Sequence, residues 1–342
     1  MRGRAVAALV VLHGGLLTTV QDAGRPGHLA EGLAPAGAAD RFMLACANWL
    51  VGNPAEAAAL EVTLDGPVLQ ASGDLVMALA ALEGEWHAGE PGQALPLWEA
   101  VLVRDGTVVT VGAVRQGVRA YLAVAGGIAV PPVLGSRSTH LRAGIGGLHG
   151  RALAAGDRLP VGRPAEPPGR LAGRRLPAHL RPHRRSGPIR VMAGPQADAF
   201  SRRGLRTFYN ARFRVSPRAD RMGVRLQGPP IQARDGYDIV SEATAPGSVQ
   251  VTGDGQPLVL LAERPTTGGY PKIATVITAD LDVMGQLRPG QWVRFVEVGE
   301  QEARQALAER RRRLEAVRAW LMSQPPGRPL VVATPAGVYR VD

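Results

Sequence analysis

The sequence predicts a mainly β fold in which many short strands are joined by tight turns. The chain of 342 residues contains 43 glycines and 28 prolines, and these residues are scattered along it instead of clustered. Long periodic apolar segments are few, which disfavours a bundle of helices. Glycine and proline end strands and make turns, so this distribution is typical of short strands. The length allows about two domains of roughly 100 to 200 residues each.

The first domain is predicted over residues 1–165 and begins with strands at 5–12 and 16–20. Two arginines followed by an apolar run imitate a secretory signal at the start of the chain. The run is short and no small-residue cleavage site follows it, so we interpret it as a strand. No segment approaches the roughly 18 apolar residues of a membrane span. We therefore expect a cytoplasmic protein that has no membrane partner.

A helix is predicted after Asp40, because this N-cap residue precedes an apolar run and Gly52 with Asn53 follows it as a stop signal. Cys46 lies in this helix, where we expect a small buried side chain. A single cysteine excludes an intrachain disulfide and a CxxC metal site.

Alternating runs on both sides of Asp105 and Gly106 are a strong hairpin signal. Other strands of the first domain are predicted at 59–64, 75–82 and 118–124.

The second half of the chain divides by composition. Residues 166–187 are rich in proline and arginine and poor in large apolar residues, which is typical of a linker. The second domain is predicted over 188–300 and begins with a strand at 189–194. A helix with a narrow apolar stripe opens the tail at 301–342, and proline and glycine then precede a predicted hairpin at 329–341.

The formal net charge of +11 raises the question of nucleic-acid binding. The basic residues are spread along the chain, and aromatic residues make up only 4%, which leaves few platforms on which bases stack. No nucleic-acid-binding motif is present, so we predict no nucleic-acid partner. A positive surface still attracts small anionic substrates or an acidic protein.

Familiar cofactor and metal motifs are absent from the sequence. It contains no GxxxxGK[ST] phosphate loop, no HExxH and no lysine flanked by methionines of the kind that carries biotin. The glycines of GIGGLHG, residues 144–150, do not have the GxGxxG spacing of a dinucleotide site. His179 and His183 are four residues apart, but Pro182 disfavours a helix that would bring them together. We therefore predict no metal site.

The segment RPTTGGYPKIATV contains Lys272, the only lysine among 40 lysine and arginine residues. Polar and glycine residues precede it: Thr266, Thr267, Gly268, Gly269 and Tyr270. The glycines let backbone amides approach a ligand closely. A partly desolvated ammonium in this place suits a developing oxyanion or a carboxylate, although a surface lysine beside an ordinary turn fits the same pattern. Glu242 and Asp254 are the nearest acidic candidates for proton transfer or for holding the lysine.

Three further segments hold more polar and glycine residues than a simple core explains: 18–27, which continues to Asp40, 117–128 followed by 135–139, and 216–226. Among their arginines, the ones of interest are Arg25, Arg119, Arg137, Arg221 and Arg225. Because arginine is frequent throughout the chain, a surface role is the simpler interpretation for each of them taken alone.

Taken together, the four segments resemble one protein family. Its marks appear in order as GLLTTVQDAGRPG, RAYLAVAGGI with LGSRST, DRMGVRL, and GDGQPLVLLAERPTTGGYPKIATV. The family is variously described as biotin-dependent carboxyltransferase-like, as KipA-like, as allophanate hydrolase subunit 2 and as the C subunit of 5-oxoprolinase. The resemblance covers nearly the whole chain up to about residue 300.

The resemblance implies a fold and a set of partners. The fold is a pair of cyclophilin-like β-barrel domains with a ligand cleft between or beside them. Members usually act with a KipI-like protein and often with a LamB/YcsF-like protein, in a complex that uses ATP to open the lactam of 5-oxoproline to glutamate. Under one alternative, the chain is the carboxyltransferase component of a urea carboxylase and allophanate system, with biotin supplied by another chain. Under another, it is a regulatory binder of a KipI-like kinase inhibitor.

Residues that match the family motifs form the candidate site. The substrate-binding candidates are Gln21, Asp22, Arg25, Arg119, Tyr121, Ser136, Arg137, Arg221, Gln250, Thr266, Thr267, Gly268 and Gly269. The catalytic candidates are Lys272, Glu242, Asp254 and Tyr270. In the division of roles that we expect, Lys272 and the glycine amides stabilise the lactam oxygen, and Arg221 holds the substrate carboxylate. Glu242 or Asp254 then moves protons.

Overall fold

The chain divides into two compact units in a computed structural model. The residues that the structure describes are 7–89, 92–183, 187–324 and 331–341. Of these, the first unit comprises residues up to 25, 36–183 and 313 onward, and the second comprises 26–35 and 187–312. Strands dominate both units, so the predicted mainly β class is confirmed.

Most strands are short, as the distribution of glycine and proline predicts. The first eleven are β1 (Ala8–His13), β2 (Leu17–Gln21), β3 (Ala59–Thr63), β4 (Val68–Ser72), β5 (Leu75–Ala80), β6 (Glu83–Ala88), β7 (Gln93–Ala94), β8 (Val101–Val103), β9 (Val108–Gln116), β10 (Arg119–Val124) and β11 (Arg158–Pro160). The next ten are β12 (Ile189–Ala193), β13 (Phe213–Val215), β14 (Gly223–Gln227), β15 (Glu242–Ala243), β16 (Ser248–Val251), β17 (Pro257–Leu260), β18 (Thr267–Gly268), β19 (Lys272–Val276), β20 (Trp292–Val293) and β21 (Phe295–Glu297). The last two are β22 (Val332–Thr334) and β23 (Gly337–Tyr339).

Helices are fewer in the described part of the chain. They are α1 (Arg41–Leu50), α2 (Pro168–Leu171), α3 (Arg202–Asn210), α4 (Leu281–Met284) and α5 (Glu300–Ser323). None of the described helices combines the length and the apolar content that a membrane crossing requires.

Two sheets enclose the core of the first unit. Within the described residues their strand orders are β11-β1-β4-β9-β6-β7 and β2-β3-β10-β5-β8-β22-β23. Successive side chains of a strand point to opposite faces, so each sheet turns one apolar face inward. Val11, Leu60 and Val111 are examples of the buried residues that both sheets contribute to a single cluster.

A second buried cluster covers the outer face of the seven-stranded sheet. Helix α1 packs there, together with Val317 and Leu321 from the part of α5 that belongs to the first unit. The predicted start of α1 is confirmed, because Asp40 Oδ1 accepts a hydrogen bond of 2.8 Å from Met43 N. Cys46 is fully buried in this cluster, as expected.

The hairpin predicted at Asp105 and Gly106 is wrong. Strand β8 pairs with β5 and β22 in one sheet, whereas β9 pairs with β4 and β6 in the other. An alternating pattern determines which face of a strand is buried but not which strand lies beside it. The Asp105 carboxylate instead accepts a hydrogen bond of 2.6 Å from Gly73 N, in the turn between β4 and β5.

Part of the segment expected as a linker is packed against the first unit. Leu171, Ala172 and Leu176 are buried in its second cluster. A few well-placed apolar side chains therefore anchor a segment whose overall composition is that of a spacer. The end of the predicted linker, at 184–186, lies outside the described residues.

The second unit is built on one larger sheet. Its strand order within the described residues is β20-β13-β14-β17-β16-β19-β12-β21, and β15 and β18 form a separate two-stranded sheet. Helices α3 and α4 cover the core, in which the rings of Phe208 and Phe295 are stacked with centroids 4.6 Å apart. Gly268 of β18 lies in the wall of a cavity in this unit.

The C-terminal helix and hairpin are confirmed. Helix α5 begins at Glu300 and ends at Ser323, as its apolar stripe predicts. Strands β22 and β23 pair antiparallel, and the predicted start of this hairpin, at 329 and 330, lies outside the described residues. The first two residues of the strand predicted at 5–12 also lie outside them.

Candidate functional site

A cavity of about 510 Å³ opens in the second unit. Strands β14, β16 and β17, the turn after β16 and the glycine turn after β18 supply its lining. The described lining residues are Met222, Arg225, Gln250, Thr252, Gly253, Asp254, Leu258, Pro265, Gly268, Gly269 and Tyr270. The volume is within the usual range for small-molecule sites. Five of the residues that the sequence analysis singled out meet here: Gln250, Asp254, Gly268, Gly269 and Tyr270.

Two opposite charges line this cavity. Arg225 on β14 has an exposed side chain whose guanidinium makes no hydrogen bond or ion pair with any described residue. Asp254 Oδ1 accepts hydrogen bonds from Thr252 Oγ1 at 2.6 Å and from Gln256 N at 3.1 Å. The hydrogen bond from the Thr252 hydroxyl is the main cause that holds the pKa of Asp254 below its ordinary value, although partial burial acts in the opposite direction. Asp254 is therefore a carboxylate at neutral pH, suited to accept a hydrogen bond but not to donate a proton.

The glycine turn fits closely against Gln250. A Cβ atom on Gly268 would lie 2.4 Å from Gln250 Nε2, so only glycine leaves the amide side chain in its present place. Gln250 Nε2 in turn donates a long hydrogen bond of 3.4 Å to the carbonyl oxygen of Tyr270. Thr266 and Thr267 are outside the lining, and the backbone oxygen of Thr266 accepts a hydrogen bond of 3.0 Å from Thr244 N.

Lys272 is buried on β19 and is not among the described residues that line the cavity. Its Nζ lies 2.7 Å from Glu242 Oε1, and Gln196 Nε2 donates to the same oxygen at 2.7 Å. The Lys272 contact is an ion pair, and Nζ makes no further contact of hydrogen-bond geometry within the described part of the chain. Gln196 Oε1 also accepts a hydrogen bond of 3.1 Å from Lys272 N.

This ion pair is directly connected to the cavity wall. Glu242 is paired with Gly268 in the β15–β18 sheet, so the Lys272 contact fixes the strand that lies beside the glycine turn. Contact with Lys272 is the main cause that holds the pKa of the Glu242 carboxyl below its ordinary value, and the hydrogen bond from Gln196 lowers that pKa further. Both acidic candidates, Glu242 and Asp254, are thus ionised at neutral pH.

Arg221 lies in a buried ion pair outside the lining. Its Nε donates to Glu263 Oε1 at 2.5 Å, and both side chains are 3% exposed. A guanidinium that a carboxylate already neutralises is poorly suited to hold the carboxylate of a ligand. Arg225, on the strand that follows, lines the cavity without such a partner among the described residues.

The candidates near the start of the chain form a separate cluster in the first unit. Asp22 accepts hydrogen bonds from Ser136 Oγ at 2.6 Å, from Ser138 Oγ at 2.5 Å and from Arg137 N at 2.6 Å. The fully buried Arg25 donates to the carbonyl oxygen of Ser138. These contacts join the loop after β2 to the loop around residue 137.

The remaining members of this cluster contact the backbone. Gln21 is buried, and its Nε2 donates to Thr139 O at 3.0 Å. Arg137 Nε donates to Val130 O at 2.8 Å. The contacts named here join the end of β2 and the loop after it to the segment at 130–139, or lie within that segment, an arrangement that stabilises the fold of these loops.

Arg119 and Tyr121 lie on β10 beside Glu61 of β3. Arg119 Nε is 3.2 Å from Glu61 Oε1, and the Tyr121 hydroxyl donates to Glu61 Oε2 at 2.7 Å. Asp40 N donates to the same hydroxyl at 2.8 Å, which connects the network to the start of α1. Complete burial and the neighbouring Glu61 carboxylate raise the pKa of Tyr121 well above its ordinary value, so the phenol remains protonated.

Comparison with known proteins identifies the chain. Residues 31–297 match the family described as carboxyltransferase domain, subdomain A and B. The chain belongs to this carboxyltransferase family. The resemblance noted from the sequence motifs is therefore confirmed.

Two relatives in the carboxyltransferase family match over most of their length, and both are C subunits of 5-oxoprolinase. The Escherichia coli protein is 39% identical, over 91% of this chain and 98% of that protein. The Haemophilus influenzae protein is 35% identical, over 83% of this chain and 89% of that protein. In the crystal structure of the Kluyveromyces lactis urea amidolyase, a region that covers 20% of that chain superimposes on 91% of this one, with a TM-score of 0.83 and 32% identity.

Sequence reasoning missed several residues of this carboxyltransferase-family chain. Arg225 and Thr252 line the cavity, while Gln196, Glu61 and Ser138 hold predicted residues in place. Of these, Arg225 was named in the sequence analysis among the arginines of its segment but was interpreted as a surface residue and left out of the candidate site. The sequence carries no signal for Gln196, because its contact with Glu242 depends on how β12 and β19 pair. Among the described residues, no group of three or more His, Cys, Asp or Glu side chains is arranged to hold a metal ion.

Proposed function

We propose that this protein is the C subunit of a cytoplasmic, ATP-dependent 5-oxoprolinase, which opens the lactam of 5-oxoproline to glutamate. Its partners in the complex are two further proteins, one KipI-like and one LamB/YcsF-like. The observation that carries the proposal is the match to the C subunit of the Escherichia coli 5-oxoprolinase, at 39% identity over 98% of that protein.

The cavity of the second unit supports a small, polar substrate. It presents a guanidinium, a carboxylate, an amide and a phenol, while Met222, Leu258 and Pro265 supply apolar surface. A five-membered lactam that carries a carboxylate has the same mixture of charged, hydrogen-bonding and apolar parts. The chemistry of the lining therefore fits 5-oxoproline better than it fits a wholly apolar ligand.

The residues of this chain bind and orient the substrate in the proposed reaction. A lactam is a stabilised amide, and ATP is the co-substrate that activates its carbonyl oxygen by phosphorylation within the complex. Lys272, which the sequence analysis assigned to that oxygen, has a geometry that favours a positioning role. It fixes Glu242, and through β15 it fixes the glycine turn. Neither Glu242 nor Asp254 is a proton donor at neutral pH, so each acts as an acceptor or as a fixed charge.

Reconstitution tests the proposal. The chain is mixed with its KipI-like and LamB/YcsF-like partners, and the release of glutamate and ADP from 5-oxoproline and ATP is measured. We expect release only when all three proteins are present. If the two partners release glutamate at the same rate without this chain, the proposal is wrong.

Carboxyl transfer is the second candidate function, because the K. lactis urea amidolyase contains a region with the same fold, with a TM-score of 0.83. That function requires biotin carried by another chain. It predicts that urea is carboxylated when this protein is combined with a biotin-carrying carboxylase, bicarbonate and ATP. The regulatory alternative predicts binding to a KipI-like protein without any ATP-coupled reaction, so the same reconstitution distinguishes all three functions.

A further inference from the structure

We propose that Arg225 and Asp254 form a selectivity pair for ligands that carry a carboxylate next to an N–H donor, such as the cyclic amide of an amino acid. This inference rests on the proposed function and deepens it, because it assigns the two ends of the substrate to two named side chains. Neither residue needs to take part in bond breaking for the pair to select the ligand.

Arg225 is the carboxylate-binding member of the pair. It lines the cavity, and its guanidinium makes no hydrogen bond or ion pair with any described residue. The planar array of N–H donors matches both oxygens of a carboxylate. The nearby Arg221 is occupied by Glu263, so the two arginines of DRMGVRL have different roles.

Asp254 is the acceptor for the N–H donor. Its hydrogen bonds from Thr252 and Gln256 both end on Oδ1, and no side chain of another described residue donates to Oδ2, which is the oxygen that we assign to the ligand. The same two bonds hold the carboxylate in a fixed orientation on the turn after β16. An ionised acceptor makes a stronger hydrogen bond to an amide N–H than a neutral one does.

The two charges line the same cavity and do not form an ion pair with each other. Arg225 is close enough to influence Asp254 electrostatically, yet the structure shows no ion pair between them. If they were in contact they would satisfy each other, and neither would be available to a ligand. Apolar Met222 and Leu258 lie in the same lining and can cover the carbon skeleton of a small ring.

This arrangement predicts an order of affinity among simple compounds. The compound 5-oxoproline satisfies both charges, whereas 2-pyrrolidinone has the lactam N–H but no carboxylate. Urea has N–H donors and no carboxylate, and glutarate has carboxylates and no N–H. We expect 5-oxoproline to bind most tightly of the four.

Binding to the full chain is measured by calorimetry for wild type, Arg225→Met and Asp254→Asn. Arg225→Met should lower the affinity for 5-oxoproline by about tenfold or more. It should leave the affinity for 2-pyrrolidinone unchanged, because only 5-oxoproline has the carboxylate that the arginine binds. Asp254→Asn should lower the affinity for both lactams. Arg212→Met is the matched control, because Arg212 is an exposed arginine of the same unit outside the lining.

The same variants are assayed in the reconstituted complex, where Arg225→Met should raise KM for 5-oxoproline and leave KM for ATP unchanged. Equal loss of 5-oxoproline and 2-pyrrolidinone binding in Arg225→Met, or an unchanged KM for 5-oxoproline, would overturn the selectivity pair. A complex that releases glutamate with an unchanged KM refutes the pair but not the proposed function. A chain that selects 5-oxoproline but does not support glutamate release supports the pair and refutes the function.

Discussion

Lys272 Nζ lies 2.7 Å from Glu242 Oε1, and the two partners differ strongly in exposure, at 3% for the lysine side chain and 44% for the glutamate. An ammonium is compact enough to be buried at the inner end of this pair, whereas a guanidinium needs more space and a planar set of partners. This difference explains why a chain that otherwise uses arginine has lysine here. The hydrated carboxylate tolerates the loss of its partner far better than the buried ammonium does.

Substituting Lys272 separates stability from activity. Lys272→Met should leave the free energy of unfolding within about 1 kcal/mol of wild type, because the exposed Glu242 remains solvated and a buried charge is removed. Lys272→Arg should lower it by about 1–3 kcal/mol, since the larger side chain must fit a closed space. Denaturant unfolding checks both values. Activity in the reconstituted complex should fall in both variants, and a Lys272→Met enzyme with normal kcat and KM would contradict the positioning role.

The pH dependence of stability identifies the contribution of Glu242. Its pKa is lowered in the folded state, so its contribution is present above the unfolded pKa of about 4.3 and is lost as pH falls through the folded pKa. Glu242→Gln should therefore melt at a lower temperature than wild type at pH 7, and the two melting curves should converge at acidic pH. Melting temperatures measured from about pH 3 to 7 test this sign. A gap that persists at the acidic end would show that the glutamine acts through packing instead of charge.

A methyl group at position 268 should disturb the cavity by displacing the side chain of Gln250. The Cβ atom of Gly268→Ala would displace the end of the Gln250 side chain, which is flexible, so the cost to stability is small while ligand binding weakens. The double variant Gly268→Ala, Gln250→Ala should recover part of the lost stability, because the clash is gone. Unfolding curves and KM for 5-oxoproline measure both effects.

Gly253→Ala is the control for this experiment. Gly253 also lines the cavity, and nothing lies within 4 Å of the Cβ that it would gain. We expect wild-type stability in this variant. If Gly268→Ala and Gly253→Ala behave alike, close contact with Gln250 is not what requires glycine at position 268.

Much of the fold could be predicted because it depends on local patterns. The cap at Asp40 and the stripe of α5 are properties of single segments, and both predictions are confirmed. The partners of β8 and β9 could not be predicted from Asp105 and Gly106, because pairing depends on the whole sheet. The composition of residues 166–187 also predicted a linker, but a few apolar side chains at 171–176 pack that segment against the first unit.

Site residues could be predicted where unusual residue types cluster in the sequence. They could not be predicted where the residue type is common throughout the chain. The density of threonine and glycine before Tyr270 predicted a ligand-binding turn, and that turn lines the cavity. Arg225 looked like any other arginine in a chain with 40 basic residues. The sequence left open whether Lys272 is partly desolvated or at the surface, because its burial and its ion pair with Glu242 depend on long-range contacts that no local pattern reveals.

The network around Glu61 should contribute to stability and not to ligand affinity. Tyr121→Phe removes the hydroxyl that joins Glu61 to Asp40 N, and it should lower the free energy of unfolding by about 1–3 kcal/mol, since a buried donor loses its acceptor. Arg119→Met leaves the Glu61 carboxylate buried with one fewer cation and should cost about 3–5 kcal/mol. Urea unfolding measures both losses. A change in KM for 5-oxoproline without a change in stability would place these residues in the site instead.

The hydrogen bond from Thr252 to Asp254 should determine the pH at which ligand affinity is lost in acid. Because this bond has the largest effect on the lowered pKa of Asp254, Thr252→Val should raise that pKa towards its ordinary value, whereas Thr252→Ser keeps the hydroxyl. The proposed interaction with the lactam N–H needs the ionised carboxylate, and it is lost as pH falls through this pKa. Because the same hydroxyl orients the carboxylate, Thr252→Val should bind 5-oxoproline somewhat more weakly than wild type and Thr252→Ser at neutral pH, and the midpoint of the loss of binding in acid should move to higher pH in Thr252→Val alone. Calorimetric titrations at a series of pH values give the midpoints. An unchanged midpoint in Thr252→Val would show that Asp254 does not control binding through its charge.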